Sequence, residues 1–145
     1  MSEIAVLWIV LGFGQSGLNQ SRDDVADIRA VLTQQVASWN SGNVEEYMKG
    51  YWKSDSTLFA SGGSLIRGWD SVLARYQRTY NSREKMGRLE FNDLEIRKIA
   101  SQAAIAYGVW RLHRASGDIW GRFTLVVEVK DGFWRITQDH TSAAS

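Results

Sequence analysis

Cysteine and proline are both absent from the 145 residues. Without cysteine there is no disulfide, no thiolate metal site and no cysteine nucleophile. Without proline, every bend falls to Gly, Asn, Asp or Ser. Histidine is scarce: His113 and His140 are the only two. No His-x-x-x-His or Asp-x-His spacing joins them to other ligands, so the chain offers no convergent metal set. A Gly-x-Ser-x-Gly elbow and a Walker loop are also missing, and no cofactor is expected. Net charge is only +1, so no global field points to nucleic acid.

What is present is apolar and aromatic. Apolar residues make up 44% and charged residues 23%, with seven tryptophans. That balance suits one soluble domain with a substantial core. Trp serves cores, pocket walls and interfaces alike. The longest apolar run is Ile4 to Leu11, eight residues. It falls short of the ~20 needed to span a membrane. It matches a signal-peptide apolar region, and "GFGQSG" supplies small residues for cleavage, although Glu3 replaces the usual basic stretch. On that reading residues 1–20 are a leader and the chain is exported; on the other they form an N-terminal helix of a cytoplasmic protein. The folded domain is expected over 21–145.

Val25, Ile28, Leu32, Val36 and Trp39 recur at helical steps, predicting a helix from Arg22 to Asn40. Ser21 is its expected cap, with Asp23 and Asp24 in the first turn. Gly42 ends it, and "NVEE" starts a short helix with Asn43 as cap and Glu46 at the capping-box position. "TLFASGGSLIRG" reads as two strands around Gly62 and Gly63, and "WDSVLARYQRTY" as a third helix. "NSREKMGR" reads as a loop. From Leu89 the period falls to two, giving strands Leu89–Ile99, Ala103–Arg114, Asp118–Val129 and Gly132–Thr141. Their short links fit antiparallel hairpins. The expected class is α+β: three N-terminal helices on a strongly curved, mainly antiparallel sheet that forms a conical pocket.

The stretch "VASWNSGNVEEYMKGYWKSDSTLFASGGSLIRGWDSVLARY" resembles the opening of nuclear transport factor 2-like domains, the SnoaL-like and ketosteroid-isomerase-like group. The tail "AAIAYGVWRLHRASGDIWGRFTLVVEVKDGFWRITQDHTSA" is similar to the group's last three strands, and especially to the branch related to the association domain of calcium/calmodulin-dependent kinase. The resemblance covers about residues 24–143. It implies the curved sheet, the pocket and a homodimer, with Trp120, Arg122 and Val126 on a pairing face. Fold alone does not fix function.

A steroid isomerase needs a carboxylate base and an oxyanion hole of a Tyr and a protonated acid. The resemblance places Gln35 at the tyrosine, Ala60 at the base and Leu125 at the acid, so that activity is not expected. His140 is then the candidate acid–base group, because imidazole titrates near ~6.5. Trp134, Ile136, Gln138 and His140 alternate onto one face, which carries His140 toward the pocket rim and turns Asp139 away. A hydrogen-bonded structural histidine is the other reading of His140. Gln35, Trp39, Tyr51, Phe59, Trp110 and His140 make a plausible apolar lining with a few polar groups, although the aromatics can equally fill the hollow as core. Arg75, Arg78, Arg83, Lys85 and Arg88 interleave with Tyr76 and Tyr80, a pattern of nucleic-acid binders whose ordinary meaning is a solvated helix face. The expected function is a non-catalytic small-molecule-binding or assembly module. The alternative is a small isomerase, cyclase or hydrolase acting on a hydrophobic substrate through His140.

Overall fold

A computed structural model describes residues 15–145. The apolar run and most of the expected leader lie outside the described residues. Helices α1 (Gln15–Asn40) and α2 (Val44–Met48) lead into strands β1 (Leu58–Ser61) and β2 (Ser64–Arg67). Helices α3 (Trp69–Thr79) and α4 (Arg83–Met86) follow. Strands β3 (Arg88–Ala100), β4 (Ala103–His113), β5 (Ile119–Lys130) and β6 (Phe133–Thr141) complete the chain. They form one six-stranded sheet in the order β2-β1-β6-β5-β4-β3. All pairs are antiparallel except β1 with β6. Among the described residues no helix is long and apolar enough to cross a membrane.

The class is α+β as expected, with differences among the helices. Helix α1 begins ahead of Ser21, so Ser21 sits inside it and Asp23 and Asp24 are not in a first turn. Asp24 instead reaches across to β3, where it pairs with Lys98 Nζ at 2.6 Å. The segment expected as a loop holds α4, capped by Ser82, whose hydroxyl accepts from Lys85 N. The helices therefore number four among the described residues. Asn43 does cap α2, accepting from Glu46 N at 3.0 Å. The Glu46 carboxylate pairs with Lys49 and does not close a capping box.

The spacing Gly12-Phe13-Gly14-Gln15-Ser16-Gly17 matches Gly-x-Gly-x-x-Gly. A dinucleotide loop needs a βαβ unit behind it. Here α1 leads to α2 and an antiparallel meander, so the spacing carries no such meaning.

Helix α1 is tied to β3 at two points. Within the helix stands Asp24–Lys98. At its C-terminal end, the Asn40 side chain donates to Leu89 O at 3.1 Å and accepts from Leu89 N at 2.7 Å. Arg83 on α4 donates to Trp39 O, which also accepts from Gly42 N, and to Asn40 O, adding donors to carbonyls at the helix end. The buried stripe of α1 runs through Asp24, Ile28, Leu32, Gln35 and Trp39. It passes through Gln35, a polar residue, where the expected stripe had Val36.

Burial in β5 alternates as its sequence suggests: Phe123, Leu125 and Val127 are buried, while Arg122 and Thr124 are exposed. Strand β6 behaves differently. Its register against β5 pairs Val127 with Ile136 and Val126 with Gln138, leaving Thr137 as an extra residue. This bulge reverses the alternation beyond it. Trp134 and Ile136 are buried, and so is Asp139, while Gln138 and His140 are exposed.

Candidate functional site

Helices α1, α2 and α3 enclose, with the inner face of the sheet, a cavity of about 230 Å³. Trp39 anchors the aromatic wall. Its indole N–H donates to Met86 O at 3.1 Å, and its ring meets Tyr47, Tyr76 and Tyr80 edge-on. Tyr47 follows the Asn43 cap on α2, Tyr51 follows α2, and Tyr76 lies on the inward stripe of α3 with Trp69 and Val72. Gln35 is buried and donates to Tyr47 O at 3.2 Å.

The three phenols point at one another and at β6. Tyr51 Oη donates to Asp139 Oδ2 at 2.6 Å. Tyr76 Oη lies 3.2 Å from Tyr51 Oη and 3.5 Å from Tyr47 Oη. Asp139 is 5% exposed and lines the cavity. Its second oxygen, Oδ1, has no hydrogen-bond partner among the described residues. A buried carboxyl with one oxygen unsatisfied is unusual and calls for a chemical reason. Burial pushes its pKa up to about 6, against the opposing pull of the Tyr51 hydrogen bond and the Arg75 charge. The phenols move the same way: burial raises Tyr47 to about 12 and lifts Tyr51 and Tyr76 well above the ordinary value. The tyrosines therefore stay neutral donors, and Asp139 is the group that changes charge near neutrality.

Gln35, Trp39, Tyr51, Phe59 and Trp110 all line the cavity. His140 does not; it is exposed on the outer face, paired in register with Thr124. The inward place belongs to Asp139, because the Thr137 bulge exchanges the two faces. The expectation that Asp139 turns away from the hollow is thus corrected. Of the isomerase-like positions, Gln35 and Leu125 face the cavity and Ala60 is not in its lining. The carboxyl stands one strand over from β1, where Phe59 and Asp139 are register partners. The hollow thus holds a carboxyl, where the expected lining had none.

Trp120 and Arg122 are exposed on the other face of the sheet and Val126 is half-buried. The basic cluster of residues 75–88 does not form one surface. Arg75 lines the cavity, while Arg83 braces the end of α1. His113 lies between Glu90 Oε2 at 2.7 Å and Asp118 Oδ2 at 2.9 Å.

Residues beyond β6 cross the cavity's rim. Ser142 N donates to Arg122 O at 2.9 Å and Ala144 N to Trp120 O at 2.8 Å. The Trp110 indole donates to Ser142 O at 3.0 Å. Gly121 makes the crossing possible: a Cβ there would stand 1.8 Å from Ser142 O. Ser142, Ala143 and Ala144 join the lining.

Comparison with known proteins agrees with this architecture. The SnoaL-like domain family matches residues 28–145. A nuclear transport factor 2-like protein of unknown function from Shewanella oneidensis is 38% identical, covering 82% of this chain and 98% of its own, with a TM-score of 0.79. A putative scytalone dehydratase from Novosphingobium aromaticivorans shares the fold at 11% identity and a TM-score of 0.70, covering 88% and 89%. A putative calcium/calmodulin-dependent protein kinase II association domain from Xanthomonas campestris does so at 17% identity and 0.65, covering 81% and 85%. No curated protein matches the sequence.

Proposed function

The chain belongs to the SnoaL-like domain family, and from that premise we propose that its cavity binds a small, largely apolar carbonyl compound and that Asp139 moves a proton on it. The observation that carries this reading is the buried Asp139 carboxyl, fixed through Oδ2 by Tyr51 and unsatisfied at Oδ1. A base works best when its pKa lies near the working pH. A carboxyl titrating near 6 meets that condition, where an ordinary one does not. The ionised carboxylate takes a proton from the carbon beside the carbonyl, leaving an enolate; the acid's proton exchanges with solvent, and a proton then returns from the neutral acid to the carbon. Hydroxyls of Tyr51, Tyr76 and Tyr47 feed hydrogen bonds toward Asp139, so the negative charge it carries is partly dispersed before a ligand arrives.

Exchange of the α-protons of β-tetralone in heavy water, followed by NMR, tests the reading. The wild type speeds exchange over buffer, and Asp139→Asn reduces that gain by at least about 100-fold, the lower end of acid–base contributions. A second reading, a non-catalytic binding module, draws support from Ala60 and Leu125 at the positions where an isomerase has its base and acid. It is correct if the ketone shifts the indole signals of Trp39 and Trp110 while exchange stays at the buffer rate. If neither happens, the cavity is not a ligand site for this class.

Assembly belongs to the same reading. The sheet curves into a cone around the cavity and leaves its outer face for a second copy of the chain, met through Trp120, Arg122 and Val126. Trp120 is 38% exposed there and Tyr107, on the neighbouring strand, 39%. Aromatics and arginine are the residue types enriched at such contacts. Sedimentation that finds only monomer across a wide concentration range counts against the dimer.

A further inference from the structure

Among the described residues that line the cavity, two carry a formal charge near neutrality, Arg75 and Asp139. They do not pair. Asp139 takes its hydrogen bond from Tyr51. Arg75, half-buried, forms no ion pair and no hydrogen bond among the described residues, while the exposed Arg83 donates to two backbone carbonyls at the end of α1. The Arg75 guanidinium lies over two rings instead: its carbon is 4.5 Å from the Phe59 centroid and 5.8 Å from that of Tyr76. A cation–ring contact of this kind holds the group against the wall but uses none of its N–H donors. A half-buried guanidinium whose donors are unpaired among the described residues, set in an aromatic wall, is a preformed site for an anion.

We propose that the ligand of the cavity is a monocarboxylic acid with a flat apolar body, anchored by Arg75 through a paired guanidinium–carboxylate contact. The inference rests on the reading of the cavity as a ligand site and names the class of molecule that fills it. The planar fork of arginine matches a carboxylate at two points, which an ammonium cannot do. A single cation in the lining, with Asp139 opposing further negative charge, favours one carboxylate over a phosphate. The body of the ligand meets Phe59, Tyr76 and Trp110, surfaces that suit an aromatic or unsaturated ring. Ser61 and Thr141 add hydroxyls to the lining.

Phenylacetate and its neutral isostere phenylacetamide separate the possibilities. Each is titrated into the full chain while the indole N–H signals of Trp39 and Trp110 are followed by NMR. Phenylacetate should bind more tightly than the amide. Arg75→Gln should weaken phenylacetate by about tenfold, the loss expected for a charge-assisted contact near a surface, and change the amide by less than about twofold. Arg75→Lys keeps the charge without the planar fork and should fall between. Thermal unfolding of both variants establishes that they fold. Equal affinity of acid and amide, or an unchanged phenylacetate affinity in Arg75→Gln, overturns the carboxylate assignment and leaves the ligand site standing. Failure of both compounds to move either indole signal overturns the site and the assignment together.

Discussion

The two halves of β6 share a strand and a neighbour, yet they obey opposite rules. Before Thr137, Trp134 and Ile136 face the core and the intervening Arg135 does not. After it, the even-numbered Gln138 and His140 face solvent and Asp139 faces the cavity. One unpaired residue in the ladder accounts for the difference, because side-chain direction has a period of two and a single insertion exchanges the faces. The consequence is chemical. With unbroken alternation the cavity would receive an imidazole at its rim; with the bulge it receives a carboxyl held by a tyrosine.

The sharpest contrast between the halves should be energetic. Ile136 is 1% exposed, so Ile136→Ala should cost roughly 2–5 kcal/mol in denaturant unfolding. A cost near that of a surface change would mean the first half is not the core half.

Asp139 should then show itself through pH. Its folded pKa, about 6, is raised above the ordinary value of 3.8. The folded protein therefore binds the proton more tightly than the unfolded chain. Stability is greatest where the carboxyl is neutral and is lost as pH rises from about 4 through about 6. At ~1.4 kcal/mol per pH unit the loss amounts to as much as about 3 kcal/mol. Asp139→Asn should abolish this slope, as read from chemical unfolding at a series of pH values. A slope that survives the substitution would place the titrating group elsewhere.

Deleting Thr137 probes the bulge itself. Thr137 donates to Glu128 Oε2 at 2.6 Å. Its removal should cost about 1 kcal/mol for the lost hydrogen bond. The pairs on either side, Val127 with Ile136 and Val126 with Gln138, then become consecutive, so Asp139 stays inward. A carboxyl ¹³C titration that still places Asp139 near 6 bears this out, and a return to an ordinary value would show that the strand had rotated. The smallest effect is expected at His140, where replacement by Asn should change stability by less than about 0.5 kcal/mol. It should leave any proton-transfer rate of the chain unchanged.

Most of the fold was legible because its signals are local and repeated. The stripe Ile28, Leu32 and Trp39, the Asn43 cap, the paired glycines at 62 and 63, and the long alternating strands each follow from a periodicity or a turn chemistry in the sequence. Tyr76 on the inward side of α3 was legible in the same way. The site was not. Tyr51 and Asp139 lie 88 residues apart, and no local rule brings a hydroxyl from beyond α2 to the second half of β6. Nor does Thr137 announce a bulge, since it is neither glycine nor proline and the polar run from Thr137 to Thr141 carries no alternation that a bulge could interrupt. Arg75 was hidden among four other basic residues of the same stretch.

The amino-acid order by itself determined, α4 apart, which segments coil and which extend, and that the meander follows the helices. Those outcomes depend on neighbours a few residues away. Tertiary structure alone decided that Asp139 and not His140 enters the cavity, that three phenols converge on it, and that Arg75 lies against Phe59 with its donors free. A ladder tolerates one extra residue wherever packing on both sides of the sheet gains from it, and that gain exists only once the helices are in place.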